Sequence, residues 1–259
     1  QGGALMSFGP ATLTRPIASD NIAENEGGAF AFGIRAPATI VDGLISNNAS
    51  NIAAGGGIAG VSVGSGVAGT NPITLVNTSL LNNTAHTGGG GIVSRARLTM
   101  TGGTVSGNVA LEEGGGISIG GDSGHVIQSV RILNNSAATG GGVAANNSVM
   151  TVTASAALNN NFFGANTATG TGEGADLTYY GVAAFNLTGQ HNTFYAGPAS
   201  TRPSITIGGV GTNDSLALTN SIFDSYTVGV AAGPQPATTT LTGVLWSGVG
   251  TPTSGTVTV

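Results

Sequence analysis

The chain has 259 residues, a net charge of −5 and no cysteine, and only 7% of its residues are charged. All six basic residues are arginines, with no basic patch or stripe of the kind that binds nucleic acid. Disulfides and thiolate metal sites are excluded, and no apolar run approaches the roughly 18 residues that span a bilayer as a helix.

In chain order, one pattern recurs. The segment 2-GGALM-6 reads as the tail of a repeat whose asparagine is missing. Then come 21-NIAENEGGAFAFGI-34, 51-NIAAGGGIAGV-61, 83-NTAHTGGGGIVS-94, 108-NVALEEGGGISI-119 and 135-NSAATGGGVAA-145. Asn-x-Ala starts at Asn21, Asn51, Asn83, Asn108, Asn135 and Asn166, 25 to 32 residues apart. The second glycine of a Gly-Gly-apolar step follows at Gly28, Gly57, Gly91, Gly116 and Gly142, and the step decays at 173-EGAD-176. Self-similarity at such a period is the mark of a solenoid, with one coil per repeat. Between the copies lie runs of β-formers, at 38–46, 73–81, 96–106, 126–133 and 149–158, alternating small or apolar with polar residues. After about residue 180 the Gly-Gly step disappears, but strand-turn-strand continues at 182–189, 204–210, 215–233 and 237–248.

These features predict an all-β fold with no substantial helix: three short strands per repeat, wound into a single parallel β-helix of nine or ten coils. At one strand spacing per coil the rod is about 45 Å long. Residues 1–180 form coils with the Asn-x-Ala and Gly-Gly pattern, and 181–259 form further coils continuous with them. The asparagines and glycines named above are structural turns: glycine permits the bend, the small alanine suits a narrow corner, and stacked asparagines can hydrogen-bond from coil to coil. The shortage of charge has the same origin. Coils about 4.8 Å apart bring any charge at a fixed repeat position against its own copy.

Asn-x-Ala followed by Gly-Gly-Ala/Ile, preceded by a run such as 131-RILNN-135, resembles the repeat of polymorphic outer-membrane proteins. The segment 217–248 resembles the last coils of bacterial secreted right-handed parallel β-helix proteins. The resemblance implies right-handed winding and a secreted or surface passenger with an adhesive or structural role. Relatives of this kind continue past a segment such as 251-TPTSGTVTV-259 into more coil and an anchor.

Candidates for chemistry are few. The string 64-GSGVAG-69 matches a phosphate-binding glycine pattern but is followed by 71-NPITLV-76, which reads as strand and not helix. A β-helix lyase needs clustered carboxylates with a basic residue, and a glycosidase needs paired acids. The nearest candidates are Glu112 with Glu113, and Glu173 with Asp176; all read as solvated turn residues, with a weak calcium contact as the alternative. Asp122 and His125 have no third partner in sequence, and His86 and His191 are isolated. The threonine runs at 151–153, 238–242 and 256–259 are too scattered for an ice-binding array. Seven Asn-x-Ser/Thr sequons start at Asn48, Asn77, Asn82, Asn134, Asn146, Asn186 and Asn213.

The expectation is therefore a non-enzymatic extracellular structural protein without cofactor, metal or nucleic-acid partner and without membrane insertion by this chain. It reads as a filament or sheath subunit that self-associates end to end through uncapped coils. The alternatives are an adhesin or autotransporter-like passenger fragment that binds surface glycans or a cell-surface ligand, and a polysaccharide-active β-helix enzyme.

Overall fold

The computed structural model describes residues 2–33, 36–60, 72–121, 124–147, 154–171, 173–181, 184–197, 200–208, 214–233 and 237–255. Among them there is no α-helix, and so none long and apolar enough to cross a membrane. The strands are two to six residues long and pair in parallel with the equivalent strand one turn away. The fold is a parallel β-solenoid.

Among the described residues the chain builds four sheets. Sheet A has ten strands, from Leu5–Ser7 to Thr251–Ser254. Sheet B has nine, from Ala11–Thr14 to Ala237–Thr242, and sheet C nine, from Ile17–Ser19 to Leu245–Ser247. Sheet D has six, from Ile22–Ala23 to Thr167–Ala168. About eight turns separate the first and last strands of sheet B, slightly fewer than the nine or ten coils expected. At about 4.8 Å per turn the stack is roughly 40 Å tall. Sheets A, B and C run through residue 180 without a break, as in the pairing of Leu177–Gly181 with Val143–Asn147 below and Pro203–Ile207 above.

Sheet D corrects the expectation of three strands per repeat. The residues after each ladder asparagine are expected as a corner, but they form a fourth, two-residue strand: Thr84–Ala85, Val109–Ala110 and Ser136–Ala137 are examples. Two residues are too few to show alternation, so the pattern hides them. The buried member of each pair is Ala or Ser, and Ala85, Ala110 and Ala137 form their own small cluster.

The main core is made of columns, each position stacked on its own copy. Sheet A contributes Phe30, Ile58, Ile92, Ile117, Val143 and Leu177 in one register. Sheet C contributes Ala18, Ile45, Leu80, Val105 and Ile132, then switches to aromatic residues. Phe163, Phe194, Phe223 and Trp246 stack with centroids 4.6 to 4.8 Å apart. The switch falls at the coil where sheet D ends. The rings stack face on face and close-pack the interior of these last coils.

The corners show why asparagine is so common. The residues turning from sheet B to sheet C and from C to D take left-handed backbone: Asn77, Asn82, Asn134, Asn160 and Asn220 have φ between 47° and 56°. Asparagine tolerates that region better than other residues with a Cβ.

Candidate functional site

The most organised polar feature lies inside the solenoid, at the corner between sheets C and D. Asn21, Asn48, Asn83, Asn108, Asn135 and Asn166 stack in one column. Each Nδ2 donates to the Oδ1 of the next asparagine at 2.9–3.0 Å. The same Oδ1 accepts the backbone N–H of the asparagine below at 2.9–3.0 Å. From Asn48 upward, the second Nδ2 hydrogen goes to a sheet C carbonyl one coil lower, such as Leu80 O at 2.9 Å from Asn108. A primary amide has two donors and two acceptor positions, and from Asn48 to Asn166 all four are used.

This column corrects one of the expected positions. Asn51 is exposed, and the ladder member of its coil is Asn48. The ladder residue comes three positions after the buried sheet C residue: Ile45 to Asn48, Leu80 to Asn83, Ile132 to Asn135. In 48-NASNIA-53 the buried alanine position holds Ser50, so Asn-x-Ala matches the wrong asparagine. The other five expected asparagines lie in the column.

The glycines fall into three rows with different causes. Gly27, Gly55, Gly89, Gly114 and Gly140 have φ of 60° to 72° and make the turn into sheet A. The next row, Gly28, Gly56, Gly90, Gly115 and Gly141, lies directly on the backbone of sheet D. A Cβ there would meet backbone oxygen at 2.0 to 2.6 Å. The third row, Gly57, Gly91, Gly116 and Gly142, lies against the ladder amides; a Cβ would meet the asparagine Cγ at 3.1 to 3.3 Å. Gly28 therefore stands one place out of register with the other four expected glycines. Its coil has Gly-Gly-Ala, and Ala29 takes the third place.

In the next coil the third-row position, above Gly142, is Asp176, and its carboxylate ends the ladder. Asp176 Oδ1 accepts Asn166 Nδ2 at 2.9 Å. Its Oδ2 accepts Ser204 Oγ at 2.9 Å and the Tyr226 hydroxyl. Asp176 is fully buried, so the reading as a solvated turn residue is wrong for it. Burial pushes its carboxyl up to about 6, although the bonds from Asn166, Tyr226 and Ser204 favour the ionised form. Burial also raises the Tyr226 hydroxyl, and the Asp176 charge adds to that.

This group makes stability depend on pH. The unfolded carboxyl titrates near its ordinary 3.8. The folded chain therefore binds the proton more tightly between about pH 4 and 6, and stability falls as pH rises through that window. The loss is on the order of 3 kcal/mol. Asp176→Asn is expected to abolish this fall and to be more stable than the parent at pH 8. Thermal melts of both proteins from pH 3.5 to 8 check it: parallel pH profiles would contradict the assignment.

The ladder has a second part that the sequence reading missed. At the corner between sheets B and C, Asn161 Nδ2 donates to Asn192 Oδ1 at 3.1 Å, and the Asn192 backbone N–H donates to Ser221 Oγ at 3.3 Å. Asn161 Oδ1 accepts the Val130 N–H at 3.0 Å. The signal was the triplet 159-NNN-161, one asparagine turning the chain and the next pointing inward.

The other expected candidates do not converge. Glu112 is exposed, and Glu113 accepts Ser118 Oγ at 3.1 Å and Asn146 Nδ2 at 3.0 Å across the outside of sheet A. Glu173 is raised by burial, against a bond from Thr178 and the Arg202 charge. His125 is buried, and its Nδ1 accepts Leu98 N–H at 3.1 Å; His86 and His191 are exposed. Among the described residues no three His, Asp or Glu side chains come together as a metal site. Asp122, the 64–69 glycine string, the sequon at Asn213 and the threonine runs at 151–153 and 256–259 lie outside the described residues. Thr238, Thr240 and Thr242 face outward, but their partners one coil below are Ser215, Ala217 and Thr219. The sequon at Asn48 is buried in the ladder, whereas Asn77, Asn82, Asn134 and Asn186 are exposed.

The chain matches no known family, no curated protein and no solved structure.

Proposed function

We propose that the protein is an extracellular structural solenoid, a subunit of a cell-surface filament or sheath whose terminal coils join the coils of further copies end to end. The observation that carries this reading is the use of the buried polar side chains. The ladder amides, Asp176 and Ser204 are bonded from one coil to the next, so the interior chemistry serves stacking. The outermost described coils also carry exposed apolar groups. Phe8, Ile17 and Ile22 are 67–77% exposed on the first, and Leu245 is 58% exposed on the last; Ile17, Ile22 and Leu245 stand at the outward positions of their strands, beside the terminal strand edges. Parallel strand edges with apolar side chains favour further strands, and a heterologous contact that does not close gives a filament.

The resemblance of the repeats to polymorphic outer-membrane proteins supports a second reading. In it the same coils are covered by more of one long passenger, which adheres to surface glycans or a cell-surface ligand. Electron microscopy and solution scattering of this chain separate the two. The filament reading expects rods that lengthen with concentration, and discrete rods near 4 nm at high concentration would sink it. An enzymatic role would be revealed by saccharide cleavage lost on joint replacement of Glu112 and Glu113 by glutamine; none is expected.

A further inference from the structure

Among the described residues, sheet D is the layer that stops part-way along the rod. Its last strand is Thr167–Ala168, yet sheet C continues beyond that coil through Thr193–Tyr195, Ile222–Asp224 and Leu245–Ser247. After Thr193–Tyr195 the described chain reaches sheet A by way of Ser200–Arg202, and no strand among the described residues is laid on Thr167–Ala168. A groove of about 310 Å³ is left between them, floored by Ala165–Ala168 and walled by Ala196 and Ser200–Arg202. Its volume is at the lower end of ligand-sized clefts.

The lower strands show what such an edge accepts. The Asn48, Asn83, Asn108 and Asn135 carbonyls each take the N–H of the first strand residue one coil up: Thr84, Val109, Ser136 and Thr167, at 2.8–2.9 Å. A second bond follows two residues on, as from Thr169 N–H to Ala137 O at 2.9 Å. The equivalent acceptors on the last strand are Asn166 O and Ala168 O, and no N–H among the described residues reaches them. Arg202 Nη2 donates to Thr169 O at 3.1 Å and closes that end of the groove. The open stretch is therefore two to three residues long.

We propose that this groove is a strand-docking site, which takes an extended small-residue peptide segment of a partner protein as a seventh, parallel strand of sheet D. The sheet's own register dictates the occupant. Its inward positions are Ala23, Ser50, Ala85, Ala110, Ala137 and Ala168. They are small because glycine backbone lies directly behind them. The Asp176 carboxylate already caps the amide column above Asn166, so the occupant supplies strand and not amide. Main-chain bonds give such a site its affinity, and the small inward position gives it selectivity. The site lies on the side of the rod, independent of any end-to-end contact.

The test is fluorescence anisotropy with a Ser-Ala-Ala-Thr peptide, the sequence of residues 136–139, acetylated at its N-terminus and labelled at its C-terminus. The register has its serine N–H bond to Asn166 O and its second alanine N–H to Ala168 O. Saturable binding is expected. It should weaken tenfold or more when proline, which has no N–H, replaces the serine. It should weaken equally with Thr201→Trp, which fills the groove from its exposed wall; an unchanged melting temperature verifies that this variant is folded. Absence of binding at millimolar peptide, or equal binding of the proline peptide, would overturn the proposal.

Discussion

Replacing Asn108 by alanine is expected to lower stability by about 3–5 kcal/mol, while Asn51→Ala, the neighbouring match to the same sequence motif, changes it by less than about 0.5 kcal/mol. Asn108 is fully buried, and its Oδ1 accepts both the N–H and the Nδ2 of Asn83. Its Nδ2 serves Leu80 O and Asn135 Oδ1. Truncation strands these groups in a dry interior, where each unsatisfied donor or acceptor costs about 1–3 kcal/mol before relaxation. The coils above and below hold the backbone in register, so the neighbours cannot close around the gap. Asn51 is exposed, outside the column. Chemical denaturation of the two variants checks the contrast. Because stability in a solenoid is a sum over coils and their interfaces, hydrogen exchange should place the loss in the coils next to Asn108.

Gly115→Ala is expected to cost about 4 kcal/mol or more, or to prevent folding, whereas Gly9→Ala is expected to lie within about 0.5 kcal/mol of the parent. A methyl at Gly115 would lie 2.4 Å from Ser136 O and 2.6 Å from Gly141 O. Both are backbone atoms of the next coil, tied into sheets A and D, so no rotamer change relieves the contact. The coil spacing would have to open, and the parallel pairing on either side would open with it. At Gly9 nothing lies within 4 Å of the added methyl. Expression and thermal melts of both proteins decide the matter. A folded Gly115→Ala protein with the parent's melting temperature would mean that the glycine row does not touch sheet D.

The repeat made the architecture legible, because each structural cause leaves a residue type behind. Left-handed corners leave asparagine, backbone contact leaves glycine, and a narrow inner edge leaves alanine. What the sequence conceals is register. Asn48 is hidden in the sequence because Ser50 fills the alanine position and 51-NIA-53 imitates the motif. Counting three residues from the buried Ile45 resolves it. Gly28 slipped for a similar reason: its coil replaces the third glycine with Ala29. Sheet D is not legible in the sequence because two-residue strands carry no periodicity. Asp176 reads as solvated beside glycines until it is aligned above Gly142 and against Asn166. Phe163, Phe194, Phe223 and Trp246 are present in the sequence, but that they share one column follows only from the pairing of sheet C.

One buried amide column holds the coils in register, and it passes through Asn48 and not Asn51. Side-chain amide hydrogen exchange, read residue by residue by NMR, tests it most directly. The Nδ2 protons of Asn48, Asn83, Asn108 and Asn135 are expected to exchange far more slowly than those of Asn51, through opening of the coils. Rapid exchange at Asn48 and Asn108, or protection at Asn51 equal to theirs, would contradict the ladder and the register built on it.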